Sequence, residues 1–134
     1  MFSEILPSAA YEALQKDADA QLIDCRSMAE WNLIGTPDLS PIGKQVACLE
    51  WQSVEGQRNE AFCSKVIEHI DKATSIYVIC RSGARSAAAC QALAEAGFTS
   101  LFNVTGGFEG NPDLQGHRGS QEGWKFEGLP WRQP

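Results

Sequence analysis

The sequence predicts an α/β fold in which parallel strands alternate with helices packed on both faces of a sheet. Three observations carry that expectation. Ile76, Tyr77, Val78 and Ile79 form an unbroken β-branched and aromatic run, as a strand buried on both faces shows. The Ala-rich stretch 87–96 just behind it favours a helix. Short apolar runs then recur between segments of helical periodicity, which calls for crossover connections and therefore a parallel sheet.

In chain order, Ser8 is placed to cap a helix over 9–16, and Gln21, Leu22, Ile23 and Asp24 read as a strand that ends in Cys25 and Arg26. Ser27 with Glu30 three residues on is a capping box, opening a short helix through Trp31 to about Leu33. Gly35 and Pro37 stop it. Residues 35–45, with Gly35, Pro37, Pro41 and Gly43, form an irregular connection to a strand over 46–49. Asn59 caps the next helix, whose Phe62, Val66, Ile67 and Ile70 share one face while His69 lies off it. After the 76–79 strand and the 87–96 helix, Gly97 provides a C-cap and Leu101, Phe102, Asn103 and Val104 make a last strand closed by Gly106 and Gly107. Residues 108–134 are rich in Gly, Pro and Trp and are expected to wrap the domain irregularly, with a short helical piece.

A chain of 134 residues fits one domain, 1–134, large enough to bury roughly two-thirds of its unfolded surface. Its start has neither a basic n-region nor a long apolar core, so a cytoplasmic location is expected. Five cysteines, without a CxxC pair, argue against a disulfide framework or a zinc site. A net charge of −6 with no basic run speaks against nucleic acid and anionic membrane as partners.

The chemistry concentrates at Cys80, in the turn between strand and helix. Helix N-termini offer unpaired N–H groups and the positive end of the macrodipole, and Arg81 and Arg85 add positive charge. Such surroundings lower a cysteine pKa from ~8.5 to roughly 3.5–7.5 and favour the reactive thiolate. A buried structural cysteine would explain neither Gly83 nor the two arginines. Cys25, Cys48, Cys63 and Cys90 have no glycine-rich anion loop around them and read as small core hydrophobes. A cysteine phosphatase loop places five residues between Cys and Arg. Here four separate Cys80 from Arg85, and Ser86 occupies the later position. The shorter ring suits one anionic sulfur atom better than a phosphoryl group.

Three stretches make the chain resemble a single-domain rhodanese. They are Leu22–Arg26 with Glu30 and Trp31, Val78–Ser86, and Asn103–Phe108 with Gly128, Leu129, Pro130 and Trp131. The resemblance implies a five-stranded parallel sheet and a sulfurtransferase in which Cys80 carries a persulfide. It implies a small anionic sulfur donor such as thiosulfate, a cyanide or thiol acceptor, which includes a protein thiol, and no cofactor. Cys80 is then the catalytic residue. Arg81, Ser82, Gly83, Ala84, Arg85 and Ser86 bind substrate, their amides holding the anionic sulfur and the two arginines attracting the donor. Asp24 and Arg26 read as structural partners. Two features depart from the family pattern. Ile34, Gly35, Thr36 and Pro37 replace a histidine-containing turn, and the stretch before Gly123 and Trp124, containing His117 and Arg118, is long enough for a surface loop or a lid. A sulfur-carrier or regulatory module and a phosphatase or arsenate reductase stand as alternative functions.

Overall fold

A computed structural model describes residues 1–134. The strands are β1 (Ser3–Ile5), β2 (Gln21–Asp24), β3 (Thr36–Pro37), β4 (Ala47–Cys48), β5 (Ile76–Ile79), β6 (Leu101–Val104) and β7 (Trp131–Arg132). The helices are α1 (Pro7–Lys16), α2 (Met28–Leu33), α3 (Phe62–His69) and α4 (Ala84–Glu95). Five strands form a parallel sheet in the order β1-β6-β5-β2-β4, while β3 and β7 pair antiparallel as a separate ribbon. No helix is long and apolar enough to cross a membrane.

The central position of β5 follows from its composition. Alternate side chains of a strand face opposite sides, and all four residues of β5 are buried. Ile76 and Val78 join a core built with Phe62 and Val66 of α3 and Ala89, Cys90 and Leu93 of α4. Tyr77 and Ile79 join the opposite core with Ala10 and Leu14 of α1, Val104, Phe108 and Trp124. The sheet is therefore covered on both sides, as the alternating pattern predicted.

Several local expectations change. The fifth strand, β1, lies in the segment before Pro7, where three residues are too few to show a period; it is recognisable only through its pairing with β6. Ser8 does not cap α1. Pro7 occupies the first turn after Leu6, a position where its missing N–H costs nothing, and the Ser8 amide instead donates to Glu127. Asn59 caps a turn rather than α3: its Oδ1 accepts from the Ala61 amide, and the helix begins one residue later. Ile67 is exposed, so the buried stripe of α3 is Phe62 and Val66. The helix after Cys80 starts at Ala84 rather than at 87, which places Arg85 and Ser86 in its first turn. The strand expected over 46–49 shortens to β4, and the 35–45 connection holds β3 and a 3-10 turn, Ser40–Ile42. Residues 108–134 contain no helix. They run through turns that bury Trp124, whose indole N–H donates to the Pro130 carbonyl at 2.7 Å, and end in β7. Of the four cysteines assigned to the core, Cys25 and Cys90 are buried, Cys63 is half-buried and Cys48 is exposed.

One glycine fixes how the sheet meets the Cys80 turn. Gly107 has φ +62°, and the chain just past it is bound to that turn, with Phe108 N donating to Cys80 O at 2.8 Å and Glu109 N to Arg81 O at 3.0 Å. A Cβ at Gly107 would press on the Cys80 carbonyl and come within 2.6 Å of the Arg81 backbone. Gly107→Ala is therefore expected to cost about 2–4 kcal/mol in urea unfolding, combining left-handed strain with overpacking against backbone. Gly106→Ala, whose Cβ would come no closer than 3.3 Å to any neighbour, should cost less.

Candidate active site

Cys80 follows directly on β5 and is 1% exposed. Gly83, at φ +118°, ends the turn and starts α4, so its amide points back at the sulfur. Cys80 Sγ accepts from Gly83 N at 3.1 Å and from Ser86 Oγ at 3.2 Å. Ser86 is buried, and its hydroxyl also lies within hydrogen-bond reach of the Gly83 carbonyl and of Asn103 Oδ1. Asn103 Nδ2 donates to Gly83 O and to both carboxylate oxygens of Glu4, each at 3.1 Å. A continuous polar chain thus runs from the edge strand β1 through β6 and α4 to the cysteine.

The second sulfur at the site is Cys25. Asp24 pairs with Ile79 in the register of β2 and β5, and Cys25 N donates to Ile79 O at 3.0 Å, so the next register pair is Cys25 and Cys80. Both lie in the same core cluster, and Cys25 is 0% exposed. The hydrogen bond from the Cys25 thiol is the largest influence on Cys80. Burial opposes ionisation, but that bond, the Ser86 hydroxyl and the amides of Ser86 and Gly83 together bring the Cys80 pKa down to about 5. Burial, followed by contact with Cys80, moves Cys25 well above the ordinary thiol range. The two shifts run in opposite directions, favouring the anion on Cys80 and the proton on Cys25.

Arg85 points along α2. Its Nη1 and Nη2 donate to Glu30 Oε1 and Oε2 at 2.7 and 2.9 Å, a bidentate pair. Glu30 also closes the capping box by accepting from the Ser27 amide at 3.1 Å. Burial alone would raise the Glu30 carboxyl, yet the hydrogen bonds from Arg85 and Ser27 hold it at about 2. Arg85 is raised in turn, chiefly through its hydrogen bond to Glu30.

Arg81 is exposed, and its guanidinium has no hydrogen bond or ion pair within the chain. It lines an open cleft of about 540 Å³ with Arg85, Arg118, Glu30, Glu109 and Val54. Arg118 belongs to the long stretch after β6 and is held by donating to Gly110 O at 2.7 Å, whereas His117 is exposed and absent from the cleft wall. Ser82 is half-buried, and Ala84 is exposed at the start of α4. Asp24 and Arg26 are fully buried partners, joined by a 2.7 Å contact from Arg26 Nη2 to Asp24 Oδ2, and Arg26 also donates to Gly35 O at 2.6 Å.

Sequence reasoning thus located the turn and its arginines but missed three contributors. Cys25 looked like a core hydrophobe, Asn103 a strand residue and Glu30 only a helix cap. The available signal was that Cys25 and Cys80 each follow the last residue of a strand, but neighbour order and register were needed to join them.

Residues 4–134 match the family described as STR4 middle domain. Among solved structures, Rv0390 from M. tuberculosis superposes with a TM-score of 0.91 at 42% identity, over 98% of each chain. The polysulfide-sulfur transferase homodimer from Wolinella succinogenes superposes at 0.67 with 25% identity, over 99% of this chain and 80% of that one. In sequence, the thiosulfate sulfurtransferase GlpE of Actinobacillus pleuropneumoniae is 27% identical over 96% of this chain and 92% of that one. The four-residue spacing of the cysteine loop, the parallel five-stranded sheet and these likenesses agree: the chain belongs to the STR4 middle domain family and is a rhodanese-like domain.

Proposed function

We propose that the protein is a sulfurtransferase that takes sulfane sulfur from thiosulfate or a similar anionic donor and passes it to cyanide or a thiol acceptor through a persulfide on Cys80. The observation that carries this reading is a buried sulfur, with pKa about 5, held by an amide and a hydroxyl at the start of α4. The Cys80 thiolate attacks the outer sulfur of thiosulfate. An S–S bond forms at Sγ, the donor's S–S bond breaks, and sulfite leaves with the bonding pair. The acceptor then attacks the outer sulfur of the persulfide, and Sγ leaves as the thiolate. Donors that stabilise the resting thiolate also suit it as a leaving group, because the same charge returns in the second step. The sulfur-transfer activities for which the Actinobacillus and Wolinella relatives are named support sulfur transfer as the reaction class.

The arginines divide the work. Glu30 offsets most of the charge of Arg85 and fixes its direction, so Arg85 holds α2 against the start of α4 and shapes the loop. Arg81, unpaired at the cleft, draws in the anionic donor, with Arg118 beside it. No cofactor enters either step.

Rapid quench after thiosulfate addition should show one sulfite released per chain and an early mass gain of one sulfur that dithiothreitol removes. Cys80→Ser should abolish both, along with thiosulfate:cyanide turnover, while retaining the wild-type fold by circular dichroism; activity surviving in that variant would exclude the mechanism. Alkylation of Cys80 by iodoacetamide should follow a thiolate titration with its midpoint near pH 5, falling only as pH drops through that value. A midpoint near 8.5, typical of a free thiol, would mean that the donors do not hold the anion. Arg81→Ala should raise KM for thiosulfate on the order of fivefold, with little effect on an uncharged donor. Arg85→Ala and Glu30→Gln should instead lower turnover with both donors, since each breaks the same pair.

A further inference from the structure

The mechanism above leaves one reactive group at the site unused, the Cys25 thiol. Cys25 and Cys80 are in-register neighbours on adjacent parallel strands, fixed by the Asp24–Ile79 pair and the Cys25 N to Ile79 O hydrogen bond. Adjacent strands run about 4.8 Å apart, inside the Cα separation of 4.4–6.8 Å that a disulfide spans. Both side chains enter the same core cluster, so they project to one face of the sheet. Neither of the other cysteines near this core shares that geometry: Cys90 stands on α4 and Cys63 on α3. The cleft lies on the side of the Cys80 turn. Neither sulfur lines the cleft itself, but Arg81 and Arg85 of the Cys80 turn and helix do, whereas no residue of β2 does. An external acceptor therefore arrives from the cleft, while Cys25 meets the Cys80 sulfur from the interior.

From this pairing we propose that Cys25 is a resolving thiol, which attacks the inner sulfur of the Cys80 persulfide, expels sulfide and leaves a Cys25–Cys80 disulfide. The inference rests on the persulfide reading of Cys80. In the step, a bond forms between the two Sγ atoms and the bond from Cys80 Sγ to the outer sulfur breaks. The outer sulfur leaves with the bonding pair and takes the proton of the Cys25 thiol, departing as HS⁻. The sulfane sulfur is reduced by two electrons, and the two cysteine sulfurs are oxidised by one each. Handing that proton to the leaving sulfur lets a thiol too buried to ionise in the resting state act as a nucleophile. A small-molecule or protein dithiol then reduces the disulfide. Over the full cycle, thiosulfate and a dithiol become sulfite, sulfide and the oxidised dithiol. The domain thereby gains a second outlet for its bound sulfur, a reductive one that needs no thiophilic acceptor.

The test uses the full chain, reduced and desalted, with thiosulfate and neither cyanide nor free thiol. Wild type should release one sulfite rapidly and one sulfide more slowly per chain. Its mass should pass through the persulfide and settle two hydrogens below the reduced protein, with peptide mapping linking Cys25 to Cys80. Cys25→Ser, which keeps a donor beside Cys80, and Cys25→Val, which removes it, should both release sulfite more slowly than wild type but stop at the persulfide, giving at least tenfold less sulfide per sulfite released. With dithiothreitol present, wild type should produce sulfide catalytically, and a direct attack of dithiothreitol on the persulfide is read from the same variants. Wild type resting as a stable persulfide without sulfide release would overturn the resolving role and leave the sulfurtransferase reading intact, as would a disulfide mapped to Cys90 or undiminished sulfide from Cys25→Ser. Absence of sulfite release would overturn the persulfide reading itself, and with it this inference. The wild-type masses decide the matter even where a variant folds poorly.

Discussion

A negative charge on a buried sulfur is the constraint to which the rest of the site answers. Moving an unpaired ion out of water costs several kcal/mol even after the surroundings relax. At 1% exposure Cys80 has almost no solvent to offset that cost. The fold substitutes fixed dipoles for water: the Gly83 amide, the Ser86 hydroxyl and the Cys25 thiol converge from a turn, a helix and a neighbouring strand. Each is held in place by something else. Gly83 keeps its left-handed φ, Ser86 sits in the first turn of α4, and Cys25 is pinned by the ladder between β2 and β5.

Charge away from the sulfur follows a different logic. Arg85 lines the cleft where a donor-binding cation was expected, and there it is paired with Glu30 through both ends of its guanidinium. In the proposed reaction attraction of an anion then falls to Arg81, exposed and unpaired, in a molecule whose overall charge is −6. Steering in such a chain is local, and it fades over roughly 8 Å at physiological ionic strength. The long stretch after β6 contributes Arg118 to the same cleft by tethering it to Gly110, while the exposed His117 does not line it.

What the sequence revealed tracks the range of the interactions involved. Four of the five sheet strands, the capping box at Ser27 and the nucleophile turn are local patterns, and they appear where the residues placed them. β1 escaped because three residues carry no period, and its place is decided by β6, almost a hundred residues away. The start of α4 was set too late because Arg85 and Ser86 looked like loop residues, whereas the turn is closed by Gly83 alone. Ser8 and Asn59 are good capping residues, yet Pro7 and the Asn59–Ala61 turn settled those helix starts. Cys25 is the most instructive miss. Its composition fits a core position and it is indeed buried; only the register of two strands separated by some fifty residues turns a space-filling thiol into a partner of the nucleophile.

The hydrogen-bond chain from Glu4 through Asn103 and Ser86 ties Cys80 to an edge strand of the sheet. β1 is three residues long and pairs on one side only, and short edge strands belong to the parts of a sheet that open without global unfolding. Each such opening frees Asn103 from its anchor and loosens the hydroxyl that Cys80 relies on. Cys80 is thus linked through side-chain hydrogen bonds to an edge strand on the far side of β6, so the environment of the buried sulfur depends on how well that edge holds.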